Sequence, residues 1–435
     1  MERRAFIKKA GIATAGAFVL PYILPSGRLF AATGSRKVNH VVLVMFAGGL
    51  RNLETVKQNQ SNLMSTMLKD ITPFSAQSGI ADVLPASPLG ASRLMQYGTL
   101  MKEFRFKEGP TGHYNGHITA LTGRYSMADI NLRSNPEYPT IFEYYRKHND
   151  GALNTSGLNA WWISDSLGPY PALNYSSYEG YGSTYGANYM QPSALISWDG
   201  YSNFGNPKNF SVDEMQAVQK IRAFCDANFA NQYAAESVGV VNSPEERQML
   251  NDFLHELFQG ASSPGYNNWG FGNKMSNDLI NLYYSEKIIQ KFKPELTVLN
   301  MQDVDVCHTD FTKYCNGLRK ADWGVSHLWN TIENTPGMAG DTVMIVVPEH
   351  GRNLAPNTVV DAYGRPAFDH NSDATSREIF CLIVGPAGVV YQDKVLTQEY
   401  GESIDVVPTI ADLLGFRDRI PSGMLTGKVL NEAIK

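Results

Sequence analysis

The chain has 435 residues, 43% of them hydrophobic and 18% charged, and a formal net charge of −5. That length accommodates one large catalytic domain with insertions, or two smaller domains, with core to spare. The charge lacks the basic excess that grips a phosphate backbone, so nucleic acid is not an expected partner.

The N-terminus reads as export grammar: MERRAFIKKAG is basic, IATAGAFVLPYILP is apolar and SGRLFAATG supplies small residues. Arg3, Arg4, Phe6 and Lys8 resemble a twin-arginine signal, so residues 1–35 are read as export signal and linker. The product is then expected in the periplasm or outside the cell. The apolar segment is short and broken by Pro21 and Pro25, and no transmembrane helix is expected once it is removed. Loss of residues 1–31 removes five basic and one acidic side chain, a net +4, and takes the charge from −5 to −9.

Next, HVVLVMF at 40–46 is a continuous apolar run closed by Gly48 and Gly49, the pattern of a strand buried on both faces and hence of a parallel sheet. PTIFEYYRKHNDG at 139–151 has a proline entry, helical apolar spacing and a glycine exit, and leads into a strand at 159–164. Residues 36–164 form the first part of an α/β core on this reading. Residues 165–294 are an insertion, first rich in Tyr, Gly, Ser, Asn and Pro and then helical in pieces, expected as a cap over the carboxyl ends of the strands. Residues 295–435 return to the core, with ELTVLNM at 295–301, TVMIVVP at 342–348 and EIFCLIVGP at 378–386 as strands and a helix around 312–333. The alternation predicts a doubly wound, mostly parallel sheet flanked by helices. Cys225, Cys307, Cys315 and Cys381 match no zinc ribbon or disulfide framework; buried thiols are favoured over a Cys307–Cys315 bridge.

The chemistry gathers at strand ends. Glu349 and His350 follow the strand at 342–348, His370 precedes the strand at 378–386, and Asp303, Asp305 and His308 follow the strand at 295–301. Carboxylates mixed with imidazoles suit a divalent metal, zinc first and manganese or calcium-like ions next, rather than thiolate chemistry. Asp303 has a plainer alternative as a cap on the following turn. Arg51 and Arg352 have the chemistry to hold a phosphate or sulfate bidentately, with salt bridging as their ordinary role. His113 and His117, four apart, lack the adjacent Glu that would make a zinc-protease helix. His327, among apolar helix neighbours, reads as a packing histidine.

The order of HVVLVMFAGGLRN, HITALTGRYS at 117–126, PTIFEYYRKHNDG, PEHG and SIDVVPTIADLLGF at 403–416 followed by MLTGKVL resembles the alkaline-phosphatase superfamily, which includes the sulfatases. The resemblance covers roughly residues 38–164 and 295–432, with Asp405, Pro408, Thr409 and Gly415 in the places of the family's closing helix. It implies one metal on His308, His370 and either Asp305 or Asp303, and a second on Glu349 and His350. Two positions depart from the pattern: Ala47 stands where the family has its first Asp, and His113 where it has its hydroxyl or thiol nucleophile. His113 then becomes an unusual nucleophile, an acid or base, or a ligand, with Thr111 the nearest hydroxyl. The absent Cys-x-Pro-x-Arg motif argues against the formylglycine sulfatases. Two functions follow from the resemblance. One is a metal-dependent hydrolase acting on a small anionic phosphate or sulfate ester. The other is a catalytically reduced relative that binds an envelope protein and keeps at most a structural metal.

Overall fold

The computed structural model describes residues 36–80, 84–128, 134–149, 156–165, 173–192, 242–260, 269–271, 275–371 and 373–435. The export segment, Cys225 and residues 193–241 of the insertion lie outside the described residues. Among the described residues, eight strands make one sheet: β1 His40–Phe46, β2 Gly98–Arg105, β3 Ala160–Ile163, β4 Asn188–Met190, β5 Leu296–Met301, β6 Thr342–Pro348, β7 Glu378–Val384 and β8 Lys394–Glu402. Their order is β4-β3-β5-β1-β6-β7-β2-β8. All neighbours are parallel except β7, which runs antiparallel to β6 and β2. The described helices are α1 His113–Thr122, α2 Ile141–His148, α3 Pro244–Gly260, α4 Asn277–Phe292, α5 Phe311–Glu333 and α6 Val406–Leu413. The mostly parallel, helix-flanked sheet expected from the sequence is therefore present.

β1 shows why the sheet is covered on both faces. Its seven residues are all buried, and alternate side chains of a strand point to opposite sides. Val42, Val44 and Phe46 enter a core with Leu282 of α4 and Leu318 and Leu328 of α5. Val41, Leu43 and Met45 enter a second core with Leu121 of α1, Phe142 of α2 and Ile410 of α6. A fully buried aliphatic side chain contributes about 1.5–3 kcal/mol, so neither face could be left to water. α2 starts where Thr140 accepts from the Glu143 amide while Glu143 reaches back to accept from the Thr140 amide, a reciprocal cap formed by the segment TIFE.

The stretch at 165–294 departs from a simple cap. Its described parts supply edge strand β4, paired with β3, and helix α4, whose Leu279, Leu282 and Ile288 are wholly buried against the sheet. An apolar helix face of that kind belongs to the core layer. Cys307, Cys315 and Cys381 are free and buried, so no bridge joins the first two.

Candidate metal centre

The strand directions bring the chemistry to one end of the sheet. β1, β5 and β6 all finish there, at Phe46, Met301 and Pro348. Because β7 is antiparallel, its beginning lies at that end, so His370 arrives on the segment leading into β7. β2 is antiparallel to β7 and finishes there too, delivering the chain to α1, whose first residue is His113. Gly48 and Gly49, at φ +97° and +74°, let the turn after β1 pass close: a Cβ on Gly49 would lie 2.5 Å from His350 Nδ1.

Among the described residues, two groups of side chains converge closely enough for metal ligation, His113 with Asp305, His308 and His370, and His113 with Glu349 and His350. His113 belongs to both. Its Nδ1 is 2.6 Å from Glu349 Oε1, and its Nε2 is 3.3 Å from Asp305 Oδ1. His308 Nε2 is also 3.3 Å from Asp305 Oδ1. The His370 ring centre is 4.7 Å from that of His308 and 5.2 Å from that of His113. Side-chain exposures of 27% for His113, 33% for His308 and 37% for Asp305 leave one side open to solvent, while Glu349 and His350 are closed off.

Hydrogen bonds fix which nitrogen of each ring is available. His308 Nδ1 donates to Asp369 Oδ1 at 2.6 Å, His350 Nδ1 donates to the Gly351 carbonyl at 2.8 Å, and His370 Nδ1 donates to the Thr111 carbonyl. Carbonyl and carboxylate oxygens only accept, so a neutral ring in each case carries its lone pair on Nε2. His350 Nε2 lies 3.2 Å from Glu349 Oε1 but makes no hydrogen bond of usable geometry, which leaves a fully buried nitrogen unpartnered. Carboxylates, imidazole lone pairs and such an orphaned atom fit a divalent cation.

The electrostatics agree. Burial pushes the Asp305 carboxyl up, but hydrogen bonds from His113 and His308 and the Arg352 charge outweigh it and hold it below its usual range. Burial likewise opposes ionisation of Glu349, yet His117, His113 and His350 hold its carboxyl well below the usual value. Burial lowers His113, but Glu349 and Asp305 overcome this and raise it to about 10. Burial lowers both His350 and His370, the latter helped by His350 and Arg352, and keeps those rings neutral.

Other sequence expectations land elsewhere. Asp303 stays out of the cluster: its Oδ2 accepts from the Asp278 amide in the first turn of α4 at 3.0 Å, a cap rather than a ligand position. Arg352 is 1% exposed, donates to the Gly49 and Phe368 carbonyls, and meets Asp305 Oδ1 at 2.9 Å. It holds a candidate ligand in place, and it also lines the cavity beside Arg51. Arg51 sits 3.7 Å over the Phe368 ring, with Nη1 3.2 Å from Glu54, and lines a cavity of about 160 Å³ together with Lys57, Asn52, Thr375 and Glu378. The Thr111 hydroxyl donates to the His370 carbonyl, so Thr111 and His370 lock one another. His327 donates to Glu286 at 2.6 Å and stacks on Trp323.

Sequence reasoning missed three partners. Asp369 orients His308, and its position directly before His370 was the available signal. His117, wholly buried, approaches Glu349 Oε2 at 2.6 Å and bonds Asn300 Oδ1 at 3.0 Å through its other nitrogen. Asn300 is the one polar residue near the end of the apolar run LTVLNM, a cue to a buried polar partner.

No protein-family model matches the chain, and no curated protein matches it. Solved structures do. The chain is similar to a quadruple mutant of the alkaline phosphatase PafA, at 11% identity over 92% of this chain and 99% of that one, TM-score 0.48. It is similar to a 2-O GAG sulfatase at 11% identity, over 91% and 73% of the two chains, TM-score 0.47. The lipoteichoic acid synthase LtaP from Listeria monocytogenes gives 11% identity, 95% and 79% coverage, and TM-score 0.45.

Proposed function

We propose that the protein is an exported, metal-dependent hydrolase of small phosphate or sulfate esters. The observation that carries this reading is the convergence of His113, Asp305, His308 and His370 on the open side of the strand ends, beside the unpartnered Nε2 of His350. A divalent cation held there, with zinc first among the ions this donor set suits, would polarise an ester oxygen and acidify water. His350, kept neutral by burial with its proton on Nδ1, leaves the Nε2 lone pair as a donor for a cation shared with Glu349 and His113. Arg352 fixes Asp305, and Asp369 fixes His308. Arg51 and Lys57, at the lined cavity, supply cationic groups for the ester's anionic part. The Thr111 hydroxyl is engaged by the His370 carbonyl, which favours water over a side-chain hydroxyl as the attacking group. The basic and apolar N-terminal sequence supports export to the periplasm or beyond.

The test is turnover of phosphate and sulfate monoesters and diesters by the purified protein, demetallated and then reloaded with zinc, manganese or calcium. Metal-dependent release of phosphate or sulfate, lost or weakened in His350→Gln, is the expected result. A protein that keeps its metal and turns over none of these esters would instead be a binding or assembly protein of the cell envelope. Ala47, in place of an acidic residue at the end of β1, is the feature that fits that second reading.

A further inference from the structure

We infer that the cavity of about 160 Å³ beside Arg51 is a binding site for a small oxyanion, a carboxylate, sulfate or phosphate, that lies apart from the metal centre and has the Arg51 guanidinium as its main donor. The inference goes beyond the ester reading, because it concerns an anionic group other than the one an ion at the strand ends would hold.

The lining sets the two places apart. Eight residues line the cavity, and none of them belongs to either group of candidate ligands. Among the described residues, Arg352 is the one lining residue that also hydrogen-bonds a member of those groups, Asp305 Oδ1 at 2.9 Å. An anion in the cavity and an anion on the ion would then share Arg352 as a neighbour without competing for donors.

Arg51 supplies the donors. It is 5% exposed, so its charge has been taken almost wholly out of water, at a cost that hydrogen bonds ordinarily offset. Among the described residues, however, its hydrogen bonds are made by its backbone, the amide to Tyr314 Oη and the carbonyl from Thr55 Oγ1. The guanidinium makes an ion-pair contact with Glu54 at 3.2 Å, and the Glu54 oxygens accept no hydrogen bond. Phe368 covers one face of the guanidinium at 3.7 Å, which fixes its plane and leaves its edges. Parallel N–H groups along such an edge match two oxygens of one anion.

The local charge favours an anion as well. Lys57 Nζ lies 2.6 Å from Glu378 Oε2, and Arg352 is matched by Asp305. Arg51 has Glu54, whose carboxyl burial raises to about 7, so near neutral pH it offsets the guanidinium only in part. Asn52 also lines the cavity, and neither its Oδ1 nor its Nδ2 has a protein partner, so a neutral donor stands uncommitted next to Arg51 in the chain. Thr375 Oγ1 gives its proton to the Arg352 carbonyl or to Asp373 and serves as wall. With about 30 Å³ for each water in the liquid, the volume corresponds to about five waters, room for the five heavy atoms of sulfate or phosphate.

The experiment is calorimetric titration of the full chain, stripped of metal, with acetate, sulfate and inorganic phosphate in turn, in low-salt buffer free of other oxyanions. One equivalent of at least one of them should bind, in the millimolar range or tighter. Arg51→Gln should weaken that binding about 10–100-fold through loss of a charge-assisted pair, and Arg51→Lys should restore only part of it, since an ammonium is no planar fork. If Arg51→Gln does not fold, Lys57→Gln replaces it, its side chain being 32% exposed, and should bind more weakly with a shallower salt dependence. No binding of any of the three anions, or equal binding by the native chain and the variant used, would overturn the site. Two arms then identify the source of the anion in the metal-loaded protein, by comparing a phosphate monoester that carries a second, carboxylate group with the methyl ester of that carboxylate. A KM about tenfold lower for the acid, with the advantage lost in Arg51→Gln, shows that the occupant is part of the substrate. Equal KM values, with free phosphate still bound through Arg51, show a separate oxyanion. Oxyanion binding with no turnover of either compound would sink the hydrolase reading and leave this one standing.

Discussion

Asp369→Ala isolates the support behind one imidazole from the fold around it. The Asp369 carboxylate accepts from His308 Nδ1 at 2.6 Å and from Asn357 Nδ2 at 3.0 Å, and its side chain is 36% exposed. Burial pushes the Asp369 carboxyl up, but the hydrogen bonds from His308 and Asn357 and the His308 charge hold it below its usual range, so it is an anion at neutral pH. Removing it frees the His308 ring to rotate and to take either tautomer. Loss of an outer-shell carboxylate weakens metal affinity by about 10–100-fold, equivalent to about 1.4–2.8 kcal/mol. The same change costs the metal-free fold less than about 1 kcal/mol, because a partly solvated pair contributes little. Chelator competition for zinc affinity and urea unfolding of the stripped protein separate the two quantities. Asp369→Asn should recover part of the affinity, since Oδ1 of the amide still accepts. Unchanged affinity in a stable Asp369→Ala variant would refute the orienting role, and an equal loss in stripped and loaded protein would show that the residue serves folding alone.

Four further outcomes are expected. In α1, Gly116→Ala should destabilise by about 1–3 kcal/mol in urea unfolding: the added Cβ would lie 2.8 Å from Glu349 Cβ, and that overpacking outweighs the gain of about 1 kcal/mol in helix propensity. Thr140→Ala should cost about 1 kcal/mol by the same assay through loss of the reciprocal cap on α2. Burial raises Glu54 from 4.5 to about 7 despite Arg51, so the folded state holds a proton that the unfolded state has lost between those pH values. Native stability should therefore fall relative to Glu54→Gln as pH rises from about 4.5 to about 7, by on the order of 3 kcal/mol at most, and a pH-independent difference would contradict the assignment. Stripping the metal should lower the unfolding temperature in a way that excess zinc reverses, since an ion at a hundred times its dissociation constant stabilises by about 2.7 kcal/mol; a melting temperature indifferent to zinc would count against a folded metal centre.

The sequence showed most clearly the elements whose side chains are buried on all sides. β1, β5, β6 and β7 are mostly apolar runs, the composition that burial on both faces demands. β2, β4 and β8 escaped notice because their residues answer to less. β4 has only three residues, and β8, KVLTQEYGE, is largely half-exposed and polar. The strand-end groups were legible because ligands sit beyond carboxyl ends in an open α/β sheet, and that rule places Glu349, His350, Asp305 and His308 without coordinates. What the one-dimensional pattern does not carry is direction. Asp303 and Asp305 are two residues apart on one short turn, yet one faces α4 and the other the imidazoles. Arg352 has the chemistry of an anion clamp, and nothing in the sequence shows that its guanidinium also donates to the Gly49 and Phe368 carbonyls and to Asp305. Which nitrogen of a histidine is free depends on an oxygen up to 259 residues away, as with His370 and Thr111.

The two ends of the strand order have a bearing on what the protein does to itself at high concentration. A long apolar strand at the margin of a sheet is a template on which another chain can add, and the outermost strands here offer little of one. β4 is only three residues long, while β8 carries Lys394, Gln398, Glu399 and Glu402 along its length. A neighbour approaching β8 in register would have to take charged side chains out of water, so the described sheet is guarded against edge-to-edge growth by composition on one side and by shortness on the other.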